Sequence, residues 1–321
     1  MGPDDRWPRL EGLDLQPTIE ALHLWSQVVG KTRLMLTPWI NHSWHVTLYV
    51  SARGLTTGPI HAPQTPSGQT TFEMEFDLIA DALVIRDTLG RERRVPLGPQ
   101  SVAAFHAAAM QALAELGVSV DLRCMPCEIP GAIAFTDDHA PRAYDGEVAR
   151  TYWRALAQIH RVFQLFRSRF VGKCSPIHLF WGSFDIAVTR FSGRGAPLHQ
   201  GSAPHTPGVV MREAYSQEVS SAGFWPGGDG VAPSFYSYAY PAPDGFEGAR
   251  VAPAAAEFDK ASGEFLLPYE AVRAAPDPDA ALLDFLQTTY DAAADLARWD
   301  RSRLEVPTGP YGHPPEGYWD E

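Results

Sequence analysis

Two aromatic-rich stretches decide the fold: WHVTLYVSARGLTTGP (44–59) and WGSFDIAVTRFSGRGAP (181–197). Each opens on a tryptophan, carries an arginine nine residues later, and has the composition of a long β-strand. Each also follows a segment with the apolar spacing of an amphipathic helix, over residues 18–36 and 147–171. The order helix, then long strand, therefore occurs twice along the chain.

The similarity between the two parts extends further along the chain. EFDLIADALVI (75–85) and EFDKASGEFLL (257–267) both predict a hairpin, and each precedes a predicted helix, at 101–117 and 278–299. We therefore predict an α+β fold of two pseudo-symmetric halves, each an antiparallel sheet flanked by helices, packed as one compact unit. The alternative is a loose likeness between two α+β segments, because the alignment needs gaps at three places.

The predicted organisation has four parts. An N-terminal extension (1–16) precedes the first half (17–140), and the second half (141–302) precedes a C-terminal tail (303–321). The second half contains a Gly-, Pro- and aromatic-rich insert at 192–256, and long structured connections are often functional.

Composition excludes several classes of protein. The 321 residues are 45% hydrophobic and carry a net charge of −12, which indicates a globular chain and disfavours nucleic-acid partners and anionic membranes. We find neither a secretory signal pattern nor an apolar run long enough to span a membrane. The expectation is a cytoplasmic monomer or homodimer.

The three cysteines give no strong functional signal. Cys124 and Cys127 form a CxxC, but the EIPG that follows does not predict the helix start that activates redox pairs of this kind. No second CxxC completes a zinc site, so we predict no metal, and the sequence identifies no cofactor.

The second aromatic stretch places a carboxylate at an unexpected position. If Trp181 superposes on Trp44, then Ser183, Asp185, Ala187 and Thr189 occupy the face where the first stretch has Val and Leu. A buried carboxylate is costly unless it is paired, and perturbed groups concentrate at functional sites. The alternative is a bulge at Gly182, which would put Ile186 and Val188 on the core face and Asp185 on the surface.

A candidate site combines this strand with the insert. Two classes of residue are predicted there. The catalytic candidates are the carboxylates Asp185, Glu213 and Glu218. The substrate-binding candidates are aromatic, hydroxyl and guanidinium groups: Trp181, Ser183, Arg190, Arg194, Tyr215 and Trp225. Carboxylates in different environments can divide acid and base roles, and arginines can clamp an anion. Ordinary ion pairs between the same residues remain the alternative.

WGSFDIAVTRFSGR (181–194) and REAYSQEVSSAGFWPGG (212–228) resemble the hallmark segments of a bacterial family of unknown function. VGK (171–173) and FLLPYEAVR (265–273) fit the same pattern. Gln217 stands where the family pattern has His, so a role for histidine at that position is in doubt here. The resemblance implies no activity.

Two functions are consistent with these features. The leading hypothesis is that the protein binds a small molecule and acts on it as an enzyme. Its carboxylates and arginines would supply acid–base or anion-binding chemistry. The alternative is a non-catalytic scaffold or interaction module in which the aromatic insert docks a partner. A cavity that contains Asp185 together with Glu213 or Glu218 would favour the first, and arginine-saturated carboxylates without a cavity would favour the second.

Overall fold

The computed structural model describes residues 6–65, 68–228, 230–309, 312–314 and 317. The helices in this part of the chain are α1 (Leu15–Leu36), α2 (Val102–Glu115), α3 (Gly146–Ser168), α4 (Gly208–Ala214), α5 (Tyr269–Arg273), α6 (Pro278–Leu296) and α7 (Arg301–Leu304). None of these helices combines the length and apolar character that crossing a bilayer requires.

The four predicted helices are confirmed as α1, α2, α3 and α6. Their starts follow ordinary capping chemistry. The Asp145 carboxylate accepts hydrogen bonds from two backbone N–H groups at the start of α3, and Asp277 caps α6 with Pro278 at the first helical position.

Two antiparallel sheets organise the strands. The first contains β1 (Tyr49–Val50), β2 (Gly54–Thr56), β3 (Ile60–Thr65), β4 (Gly68–Asp77), β5 (Ala82–Asp87) and β6 (Glu92–Pro96), in the order β1-β2-β4-β5-β6 with β3 also paired to β4. After the small pair β7 (Gln100–Ser101) and β8 (Pro141–Arg142), the second sheet contains β9 (His178–Phe180), β10 (Asp185–Gly195), β11 (Gln217–Trp225), β12 (Ser234–Tyr240), β13 (Glu257–Asp259) and β14 (Glu264–Pro268). Its order is β13-β14-β12-β11-β10-β9. The α+β class with antiparallel sheets is confirmed.

The two EFD segments form hairpins of the same register. Asp77 pairs with Ala82 across β4 and β5, and Asp259 pairs with Glu264 across β13 and β14. Their places differ, because β4 lies inside the first sheet whereas β13 is an edge strand of the second.

The prediction of one long strand from Trp44 is wrong. The chain passes through a 3₁₀ turn at Asn41–Ser43 and reverses between β1 and β2, where the Ser51 hydroxyl accepts hydrogen bonds from the N–H groups of Arg53 and Gly54. A short hydroxyl side chain that satisfies the turn's own backbone explains why an alternating sequence bends here. The buried Leu48 still joins the sheets, because it exchanges two backbone hydrogen bonds with Leu179, at 2.9 and 2.8 Å.

The predicted N-terminal extension is packed against the second half where the structure describes it. Trp7 and Leu10 are buried, the Trp7 indole donates to Asp279 at 2.9 Å, and Glu270 accepts from the N–H of Leu10. Residues 1–5 of that segment, and residues 310–311, 315–316 and 318–321 of the predicted tail, lie outside the described residues.

Candidate functional site

Strand β10 has two different buried faces. Ile186 and Val188 are fully buried on the face that packs against α3, as the bulge alternative predicts. Asp185 is nevertheless only 8% exposed, because its face of the strand lines a cavity. Trp181 to Phe184 form a turn, with Phe184 at φ 61°, and β10 begins only at Asp185.

The cavity has a volume of about 750 Å³, which is in the range of small-molecule sites. The second sheet forms its floor, and the 39–46 segment, residues 127–128 and α4 contribute the other walls. Most of these walls are apolar or aromatic, from residues such as Trp44, Phe180, Trp181, Phe191, Met211, Trp225 and Leu266.

Asp185 is held in place by hydroxyl groups. Ser183 donates to one carboxylate oxygen at 2.5 Å and Tyr236 donates to the other. Burial raises the pKa of Asp185, and these two hydrogen bonds oppose that rise. Among the described residues, no lysine or arginine forms an ion pair with Asp185.

Two glycines make this arrangement possible. Tyr236 reaches Asp185 from two strands away because its ring lies over Gly223, where a Cβ would come within 2.3 Å of the ring. At Gly182, a Cβ would lie 2.3 Å from a carboxylate oxygen of Glu128. The FYSYAY segment is the predicted strand, and its Tyr236 and Tyr238 face is also a wall of the cavity.

Glu128 and Glu264 also line the cavity, and neither was a candidate from the sequence. Removal from bulk water, and then the charge of Asp185, raise the pKa of each to about 7. Glu128 is solvent-exposed, but it lines a cavity that protein surrounds, so its hydration is incomplete. The three carboxylates therefore hold protons more tightly than surface carboxylates do.

His178 is a further polar group in the cavity wall. It lies on β9 opposite Ala187, is 1% exposed, and neither ring nitrogen has a hydrogen-bond partner among the described residues. Burial lowers its pKa to about 4, so the neutral ring offers one donor and one acceptor. The sequence could not assign this histidine, because its facing depends on the β9–β10 hairpin.

The predicted site residues divide into two groups. Four of the predicted binding residues, Trp181, Ser183, Tyr215 and Trp225, line the cavity with Asp185. The other four predicted residues, Glu213, Glu218, Arg190 and Arg194, do not line it. Glu213 lies on α4 with one oxygen 3.4 Å from the Trp39 indole nitrogen, and Glu218 pairs with Arg194 at 2.6 Å.

Arg190 lies on the opposite face of β10, fully buried toward α3 and α6. It therefore has no access to the cavity that contains Asp185, because the sheet stands between them. The carboxylate neighbours of Asp185 are Glu128 and Glu264 instead of Glu213 and Glu218.

The CxxC segment contributes Cys127 to the cavity wall. The buried ammonium of Lys31 donates to its sulfur at 3.3 Å, and Gln27 hydrogen-bonds its backbone N–H and C=O groups. Within the described residues, no group of three or more His, Cys, Asp or Glu side chains is arranged to hold a metal ion.

Replacing Glu264 with Gln is expected to make stability less dependent on pH. The unfolded carboxyl titrates near 4.5 and the folded one near 7, so its ionisation destabilises the fold progressively as pH rises through that window. Glu264→Gln should match the wild type at pH 4 and exceed its free energy of unfolding by about 1–2 kcal/mol at pH 8, a value reduced for partial solvation. Urea unfolding at both pH values checks this, with the exposed Glu257→Gln as the control. Equal stability of Glu264→Gln and the wild type at pH 8 would contradict the prediction.

Comparison with known proteins gives one match. The model of the family described as "Family of unknown function (DUF5996)" matches residues 7–306. No curated protein and no solved structure gives a significant match. The matched region includes both sheets and every residue that lines the cavity. The chain therefore belongs to DUF5996, a family of unknown function.

Proposed function

We propose that this protein binds a small molecule with an apolar, ring-sized body and a positively charged amine. The amine is seated at Asp185 and the body lies against the aromatic walls. One observation carries the proposal: Asp185 is buried in the cavity, the side chains that donate to its oxygens are the hydroxyls of Ser183 and Tyr236, and no described cation neutralises it. A ligand cation supplies the missing partner.

The charge of the lining supports a cationic ligand over an anionic one. The carboxylic acids of the lining are Glu128, Asp185, Asp259 and Glu264, and none of the described lysines or arginines lines this cavity. The tryptophan and tyrosine faces also favour a cation, because the ring quadrupole attracts positive charge. The expected anion clamp at Arg190 and Arg194 is therefore not part of this proposal.

An acid–base role is the second candidate. Glu128 and Glu264 titrate near pH 7, beside a third carboxylate, so each can donate or accept a proton under physiological conditions. An enzyme of this kind would use Asp185 to position the substrate amine and one of the glutamates to move a proton. The interaction-module alternative has less support, because Asp185 is not saturated by arginines and a cavity is present.

The free thiols support a reducing compartment such as the cytoplasm. Both a monomer and a homodimer are compatible with the proposal.

A matched panel of small molecules tests the ligand class. Tryptamine, tryptophol and indole-3-propionic acid share a ring and differ in the charge of the end group, as do phenethylamine, 2-phenylethanol and 3-phenylpropionic acid. We expect the amines to raise the thermal unfolding midpoint by about 2 °C or more at saturation, through binding to the folded state alone. The alcohols should act weakly and the acids not at all. If the alcohols or the acids stabilise the protein as well as the amines do, the proposed ligand class is wrong.

A further inference from the structure

A second cavity lies on the helix side of the second sheet. Its volume is about 480 Å³, and Arg169, Arg190, Gln287, Arg301 and the segment 305–308 line it. It is separated from the Asp185 cavity by β10, since Arg190 and Asp185 lie on opposite faces of that strand. An inference about this cavity is therefore independent of the proposed function.

Arg190 is the central group of this second cavity. It is fully buried, and its guanidinium carbon lies 3.5, 4.2 and 5.0 Å from the ring centres of Phe166, Tyr290 and Phe170. One terminal nitrogen donates to the Phe166 carbonyl, while Nε and Nη1 have no hydrogen-bond partner among the described residues. Burial lowers its pKa to about 10, so the group is still positively charged at neutral pH.

The carboxylates near Arg190 form ion pairs with another arginine, Arg301. Glu305 accepts from the Tyr290 hydroxyl at 2.8 Å and from Arg301 at 2.6 Å, and Arg301 also pairs with Asp291 at 2.6 Å. None of the ion pairs within the described chain includes Arg190.

Arg169 is a second cation without a partner. Its side chain is half-buried at the end of α3 and makes neither a hydrogen bond nor an ion pair within the described part of the chain. Gln287 also lines the cavity; its amide nitrogen donates to Asp291 at 2.9 Å, and its buried amide oxygen has no partner among the described residues. Unsatisfied buried donors are costly, and a buried charge without a counter-charge is more so.

We propose that this cavity is an oxyanion-binding site, which holds a phosphoryl or carboxylate group between Arg190 and Arg169. The anion accepts from the unpartnered nitrogens of Arg190 and neutralises a buried charge that the described chain does not pair. Arginine suits both groups because its fixed N–H directions match carboxylate and phosphoryl oxygens. Glu305 also lines the cavity, and its pairing with Arg301 and Tyr290 reduces its repulsion of the anion.

Thermal unfolding at pH 7 and constant ionic strength tests the site, with sodium chloride, sodium phosphate and sodium acetate as the three conditions. We expect phosphate or acetate to raise the wild-type unfolding midpoint by about 2 °C at ten times its dissociation constant, relative to chloride. A shift with phosphate alone identifies a phosphoryl site, and one with acetate alone identifies a carboxylate site.

Three variants separate a specific site from general salt effects. Arg190→Met should abolish the anion-dependent shift and keep or raise the midpoint in chloride, since a buried unpaired charge is replaced by an apolar group. Arg169→Met, at a half-buried position, should reduce the shift without a large change of stability. Arg194→Met, on the same strand but 47% exposed and paired with Glu218, should keep the full shift. No shift in the wild type, or shifts in Arg190→Met and Arg169→Met as large as that of the wild type, would overturn the proposal.

Discussion

Asp185→Asn is expected to weaken amine binding by about 30-fold or more while the protein stays folded. The change removes the buried charge that faces the ligand amine, and a charge-assisted hydrogen bond in a buried site contributes about 2 kcal/mol. The amide keeps nearly the same shape and can still accept from Ser183 or Tyr236. Calorimetric titration with the strongest-binding amine of the matched panel measures the effect.

Stability and binding should respond to this substitution in opposite directions. Without ligand, Asp185→Asn should be at least as stable as the wild type at pH 8, because it removes a carboxylate whose pKa burial raises. Asp284→Asn, an exposed change on α6, should leave binding and stability unchanged. Unaltered amine affinity in Asp185→Asn would remove this carboxylate from the site.

Gly30→Ala is expected to destabilise the protein by about 2–3 kcal/mol, although alanine favours a helix more than glycine does. A Cβ at this position of α1 would lie 2.1 Å from the indole nitrogen of Trp181. That indole donates to the Val46 carbonyl at 2.8 Å, and its ring is a wall of the Asp185 cavity. The methyl group would therefore displace a cavity wall and break a buried hydrogen bond.

Denaturant unfolding of Gly30→Ala, followed by tryptophan fluorescence, checks this expectation. Gly98→Ala is the matched control, because no atom lies within 4 Å of the position that its methyl group would occupy, and it should change stability by less than about 0.5 kcal/mol. If Gly30→Ala is more stable than the wild type, helix propensity outweighs the close approach of Trp181 and the packing described here is incorrect.

Local signals predicted the helices and part of the cavity floor. Caps such as Asp145 and Asp277 act on the neighbouring backbone, so the sequence alone locates them. The two-residue alternation of β10 likewise predicted that Asp185, Ala187 and Thr189 share a face, whereas Ser183 lies in the turn before the strand. Alternation could not tell whether that face meets helices, solvent or a cavity, since this depends on the elements that cover it.

The rest of the site depends on contacts between distant segments. Glu128 follows the CxxC in a loop and reaches the cavity only because Gly182 leaves room for its carboxylate. Glu264 belongs to a hairpin whose neighbour in the sheet is β12, and no local pattern predicts that pairing. Arg190 and Asp185 were predicted to belong to one site because both lie on the strand that follows Trp181, but an odd spacing on a strand places them on opposite faces.

The most direct test of the central claim is a crystal structure of the protein with the strongest-binding amine of the panel. We expect electron density for the ring against Trp181 and Tyr236, with the ammonium nitrogen about 3 Å from the Asp185 carboxylate. Density for the amine outside this cavity, or inside it with the ammonium directed away from Asp185, would contradict the proposed ligand position.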